Sequence, residues 1–278
     1  MLRKYLMFRR YLYILVTCLS IVSLTAQRGA LVNTGSKRQS LGGITTLLQD
    51  SDAILSNFSA LKTQGNFGLI IGSESRFGLS ELTSVALGGF KHIGENGAIG
   101  ISLSNYGFEL YNEQTISALY MRNISNKVSI SGELGYYTLS LNEFGSTGKP
   151  FYRIGLSGNI NNKLSYGLII SNFEAARINE NATIVSSIAF GLSYSVSSKI
   201  KTYIEIASEI ESPLAIKVGL SYDIHPQLAL RIGARTASGQ SGGGFSYKIS
   251  SKLSVEGHVL FHPVLGATPG LGIKYQKN

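Results

Sequence analysis

SVSSKIKTYIEI, residues 195–206, carries the reading of the whole chain. Beyond its polar turn, Ile200, Thr202, Ile204 and Ile206 share one parity, while Lys201, Tyr203, Glu205 and, further on, Glu209 share the other. A period of two with one apolar and one charged face is a two-faced strand. The same punctuation returns in NISNKVSISGELGYY (123–137), NINNKLSYGLII (159–170), DIHPQLALRIGA (223–234) and KISSKLSVEGHV (248–259). Each copy is a short polar turn with an alternating run beyond it. A soluble sandwich also alternates, but its connections vary at both ends. Here the recurring turns are tight, whereas the connections expected at 73–81, 105–114, 140–150, 172–183 and 236–242 are longer and rich in Gly, Asn, Glu and Ser. Short turns at one end and longer loops at the other predict a transmembrane antiparallel β-barrel with its turns, and both termini, in the periplasm.

Strand starts near 65, 82, 97, 114, 127, 150, 163, 184, 199, 213, 227, 242, 252 and 268 predict an all-β barrel of about fourteen strands, with twelve or sixteen as alternatives. Glycine, at 32 of 278 residues, is frequent enough to ease the bending of a closed sheet. Tyr194, Tyr222 and Tyr247 sit on the apolar parity just before tight turns, where an interfacial aromatic girdle belongs.

The first residues, MLRKYLMFRRYLYILVTCLSIVSLTAQ, read as a signal peptide over 1–26. Arg3, Lys4, Arg9 and Arg10 make its basic region, residues 11–24 its apolar core, and Thr25-Ala26 a small-residue exit. Cys18 also permits a lipoprotein reading, although Thr17 before it fits poorly. Removing 1–26 lowers the formal charge from +9 to about +5 and takes the only cysteine, so no disulfide framework is expected. The remaining cations are scattered singly, which argues against a nucleic-acid partner. Past the leader no apolar run reaches the length of a spanning helix.

No metal spacing, phosphate loop or nucleophile elbow is present, and neither an enzyme nor a cofactor is expected. Of the four histidines, His92 and His225 fall at strand ends or turns. His258 and His262 share the parity of Glu256 and read as lumen fillers. Glu133, Arg153, Lys201, Glu205, Lys217, Arg231, Arg235, Glu256 and Lys274 also fall on the inward parity. A ring of one sign would select ions. These signs are mixed, which predicts paired charges that fill and stiffen the lumen.

GSKRQSLGGITTLLQDSDAILSNFSAL, residues 35–61, precedes every strand. Gly35, Leu41, Gly42, Gly43, Asp50, Ala53, Asn57 and Leu61 resemble the N-terminal segment of the PorV/PorQ family of type IX secretion barrels, which is itself similar to the FadL-like fatty acid transporters. Phe58 and Ser59 depart from that family's Pro-Ala, and Lys37-Arg38 shifts its arginine by one. The resemblance implies a hatch over 27–64 against the periplasmic end of a 65–278 barrel, with Gly42-Gly43 allowing close backbone approach. The residues themselves suggest an amphipathic helix capped by Asp50 or Ser51, with Ile54, Leu55, Phe58 and Leu61 on one face. Two functions follow from the resemblance. The favoured one is a non-enzymatic accessory of a secretion or surface-assembly machine, in contact with outer-membrane lipid and a larger outer-membrane protein. The alternative is a FadL-like transporter of small hydrophobic molecules, which the shortness of SNYGFELYNEQ (104–114) as a capture loop counts against.

Overall fold

The computed structural model describes residues 34–62, 65–172, 177–179, 182–183, 186–210 and 212–277; the expected signal peptide and residues 27–33 lie outside them. Fourteen antiparallel strands close a barrel. They are β1 (Phe67–Ser75), β2 (Thr83–Ile93), β3 (Gly97–Phe108), β4 (Tyr111–Ser125), β5 (Val128–Leu141), β6 (Gly145–Asn159), β7 (Leu164–Ser171), β10 (Ser187–Ser195), β11 (Ile200–Glu209), β12 (Ala215–His225), β13 (Leu228–Arg235), β14 (Ser241–Lys248), β15 (Leu253–His262) and β16 (Gly266–Lys277). A separate hairpin, β8 (Arg177–Asn179) and β9 (Ala182–Thr183), lies in the connection between β7 and β10. Neighbours in sequence pair around the ring, β7 meets β10, and β1 closes on β16 from Phe67↔Lys277 to Glu74↔Gly270.

The alternation that announced the strands is what sorts their side chains. On β11, Ile204 and Ile206 are exposed on the outer wall, while Tyr203, Glu205 and Ala207 are buried inside. β12 and β13 repeat the pattern, with Ile216, Val218, Leu230 and Ile232 outward. Tyr194, Tyr222 and Tyr247 are exposed near the tight-turn end, at the outer rim. A charge on this wall faces hydrocarbon. Ile204→Arg is therefore expected to lower folding stability by about 2–4 kcal/mol, measured by denaturant titration in lipid vesicles, and an unchanged midpoint would remove Ile204 from the lipid face.

Two of the expected loops are not loops. Strands β3 and β4 stay paired to Phe108↔Tyr111, and β5 and β6 to Leu141↔Gly145, so 105–114 and 140–150 are mostly strand. Polar composition misled there because hydroxyls pair across these hairpins, Ser104 with Thr115 and Ser140 with Ser146 at 2.8 Å, beside inward Tyr111, Leu139 and Leu141. The tight-turn end follows expectation, with turns at 126–127, 160–163, 196–199, 226–227 and 249–252.

Candidate functional site: the filled lumen

Residues 34–62 lie inside the barrel, bonded to inward side chains of its wall. They begin with a short helix, α1 (Ser36–Ser40), seated against β13 to β16. The expected amphipathic helix does not form. Asp50–Leu55 and Phe58–Ala60 are 3-10 turns, Asp50 has a left-handed φ of 61°, and Gln49, not Asp50 or Ser51, is the residue preceding the first turn. The reason lies in where the backbone finds its partners. Inward side chains of the wall bond this segment and substitute for the bonds a helix would make to itself.

Glu205, fully buried, is the central anchor. Its carboxylate accepts from Thr45 N (2.7 Å), Thr46 N (2.8 Å), the hydroxyls of Thr45 (3.0 Å) and Thr46 (2.8 Å), and Lys217 Nζ (2.7 Å). Lys217 also donates to Gly43 O at 2.9 Å. A buried carboxylate is tolerated when its lone pairs are filled in this way. Asn57 plays the same part three strands away, at β6. Its amide donates to Thr46 O (2.9 Å) and Leu156 O (3.3 Å), and its oxygen accepts from Ser59 Oγ (2.7 Å). Ser157 Oγ donates to Ser59 O at 2.6 Å.

Apolar contacts complete the seat. Ala53, Ile54, Phe58 and Leu61 cluster with Ile70, Phe90, Ala98, Leu119 and Met121 of β1 to β4. Leu41, Ile44, Leu47 and Leu48 cluster around Tyr203. The strand glycines make room for this. A Cβ on Gly233 would lie 2.2 Å from Leu41 C, and one on Gly242 would lie 2.2 Å from Gln39 O. Within the segment, Gly42 combines a φ of +73° with a Cβ position 2.6 Å from the Ala234 backbone, so only glycine fits. Gly35 also has positive φ, at 154°, and precedes α1.

The charges noted on the inward parity are brought together in pairs. Glu133 meets Arg153 at 2.8 Å directly across β5 and β6, and Arg153 Nη1 donates to Ser56 O at 3.3 Å. Glu256 lies 3.1 Å from Arg231 and 2.8 Å from Lys274, ion pairs by distance, and Lys274 in turn bonds Asp52 of the lumen segment. Lys37 lies 3.5 Å from Asp52 and 3.7 Å from Asp50. Lys201 donates to Gln49 Oε1 at 3.2 Å, and Arg235 Nε to Ser238 Oγ at 3.0 Å, neither meeting a carboxylate at these bonds. Glu209 is exposed at the end of β11.

Several anchors escaped the sequence reading. Glu74 accepts from Gln39 Nε2 at 3.0 Å and lies 3.5 Å from His258 Nε2, whose Nδ1 meets Ser36 Oγ at 3.1 Å. The lumen parity of β1 would have shown Glu74. Nothing local marks Gln39 as the counterpart of Glu74, or Thr45 and Thr46 as those of Glu205. His262 instead accepts from Val264 N and Leu265 N, both at 3.1 Å, and holds a turn. Toward the end with the longer connections, the inner wall carries Tyr137, Leu139 and Phe151, packed with Tyr111 and Leu141. Tyr111 donates to the buried Glu113 at 2.5 Å. Among the described residues no group of three His, Cys, Asp or Glu is placed to hold a metal.

No protein-family model matches the sequence, and no curated protein matches it. Solved structures do share the fold. The CymD monoaromatic hydrocarbon channel superposes with a TM-score of 0.68 at 13% identity, covering 90% of this chain and 99% of its own. The Ralstonia pickettii toluene transporter TbuX gives 0.68 at 9% identity, covering 88% and 98%. The Pseudomonas putida toluene transporter TodX gives 0.67 at 11% identity, covering 91% and 100%. The chain thus shares with these proteins the fold of a closed antiparallel β-barrel, here of fourteen strands. These neighbours are described as channels and transporters. The narrower likeness to PorV/PorQ finds no support, and the secretion-accessory expectation is overturned: the barrels that share this fold are described as hydrocarbon channels. The shortness of 104–114 was the wrong discriminator, since that segment is strand and not a capture loop.

Proposed function

We propose that this barrel passes small hydrophobic molecules across the outer membrane, with residues 34–62 as a seated plug that limits the open lumen. The observation that carries the reading is the end-to-end likeness in fold to barrels described as monoaromatic hydrocarbon channels and toluene transporters. Uptake of a labelled monoaromatic hydrocarbon should be faster in cells producing the protein than in cells without it, while uptake of a polar solute of similar size should not. Equal hydrocarbon uptake with and without the protein would sink the reading.

We propose that the tight-turn end, with Phe67 and Lys277 beside it, faces the periplasm, since outer-membrane barrels keep their short turns on that side. Cysteine introduced at Asn142 should then react with an impermeant reagent in intact cells, and cysteine at Asn126 only after the outer membrane is opened. The reverse pattern would invert the barrel.

A further inference from the structure

The residue that ends each tight turn does the same backbone task in every copy. Lys127 O accepts from Asn159 N (2.9 Å), Lys163 O from Ser195 N (2.8 Å), Lys199 O from Asp223 N (2.8 Å), Gln227 O from Lys248 N (2.9 Å) and Lys252 O from Gln276 N (2.8 Å). Gln227 shows that the position needs a carbonyl and not an ammonium. The turn therefore does not explain why lysine fills it in the other copies.

Two of those lysines converge with two others. Lys127, Lys163, Lys62 and Lys201 line a cavity of about 990 Å³ at the tight-turn mouth, and no Asp or Glu is among its described lining residues. Their recorded side-chain partners are neutral: Lys62 Nζ donates to Asn159 Oδ1 at 2.6 Å and Lys201 Nζ to Gln49 Oε1 at 3.2 Å. Elsewhere in this lumen Lys217 is matched by Glu205, Lys274 by Glu256 and Arg153 by Glu133. Four ammonium groups around one cavity repel one another and favour an anion between them. Tyr194, on the outer wall, lines the same cavity as Gln49 and Lys201 of the interior, so it reaches from the lumen mouth to the membrane boundary.

We propose that this cavity binds the phosphate groups of an anionic ligand. Lysine binds phosphate as a compact point charge, and four lysines around one cavity suit a multiply charged anion better than a single carboxylate. The phosphate belongs either to a lipid headgroup of the adjoining leaflet or to a soluble phosphorylated molecule. The site stands on the turn-end geometry and not on the transport reading.

The test uses the whole barrel chain in an uncharged detergent. Sodium tripolyphosphate, titrated calorimetrically at low salt, should bind and weaken as salt rises; Lys62→Gln/Lys127→Gln/Lys163→Gln should lose about ten-fold or more in affinity. Lys149→Gln, on β6 near the opposite end, should change nothing. Heat-modifiable mobility on gels checks that the triple variant folds, and Lys163→Gln alone should show a smaller loss in the same direction. In a second arm, nanodiscs of mixed phosphatidylglycerol and phosphatidylcholine are analysed by native mass spectrometry. Selective retention of phosphatidylglycerol, lost in the variants, assigns the phosphate to lipid; tripolyphosphate binding without that retention assigns it to a soluble ligand. Absence of both in the unmodified protein, or binding that the variants leave intact, overturns the proposal.

Discussion

Glu205→Ala is expected to release residues 41–48 from the barrel wall while the barrel stays closed. The substitution removes one side chain and five hydrogen bonds to it, from Thr45, Thr46 and Lys217. It leaves the backbone N–H groups of half-buried Thr45 and buried Thr46 without an acceptor and the Lys217 ammonium with only Gly43 O. Breaking a buried, hydrogen-bonded charge pair by removing one partner costs about 3–5 kcal/mol. Here the loss falls on the docking of the segment, because the strand pairing of β11 with β10 and β12 is made by backbone. Hydrogen exchange at Thr45 and Thr46 should accelerate sharply, and single-channel conductance in planar bilayers should rise. Lys217→Met added to Glu205→Ala should restore part of the protection, since it removes the stranded charge. Unchanged exchange at both threonines would mean that Glu205 is a passenger in the lumen.

Gly233→Val should unseat the same segment by crowding rather than by loss of attraction. Its Cβ would fall 2.2 Å from Leu41 C and 2.4 Å from Gly42 N, both backbone atoms that cannot rotate away. Overpacking of a filled interior costs about 1–3 kcal/mol even where side chains can yield, and Gly42 cannot shift freely because it already occupies a left-handed conformation against Ala234. The expected result is a folded barrel whose 34–62 segment is cut rapidly by added protease. Gly132→Ala is the control, as nothing lies within 4 Å of its Cβ position. If Gly233→Val protects the segment as well as the unmodified chain does, the segment does not rest on β13.

The strands were legible because a barrel wall sits between two solvents. Each residue of β11 has to be apolar or polar according to parity alone, and that rule is written in adjacent residues such as Ile204 and Glu205. The tight turns were legible for a similar reason, since a short reversal limits its own residue types. The hairpin tips at 108–111 and 141–145 were not, because strands that project beyond the apolar band lose the outer signal while keeping their ladder. The filling of the lumen was read only in outline. The inward charges stood out by parity, Gly42 and Asn57 only through the resemblance of 35–61, and two of the ion pairs, Glu133 with Arg153 and Glu205 with Lys217, join adjacent strands in register.

What the sequence determined by itself is the wall: the all-β class, about fourteen spanning segments, and which side chains face outward. Alternation is a local consequence of strand geometry, so it needs no knowledge of distant residues. Which lumen groups meet the N-terminal segment was decided only by the tertiary structure. Thr46 finds Glu205 across 159 positions and Lys274 finds Asp52 across 222. Such pairings arise when barrel closure sets the curvature and width of the lumen, and no local pattern records that shape. The strand glycines show the division most clearly. Gly233 and Gly242 read along the chain as places where a sheet can bend, and only the closed barrel reveals that the missing side chains are the space in which another part of the chain lies.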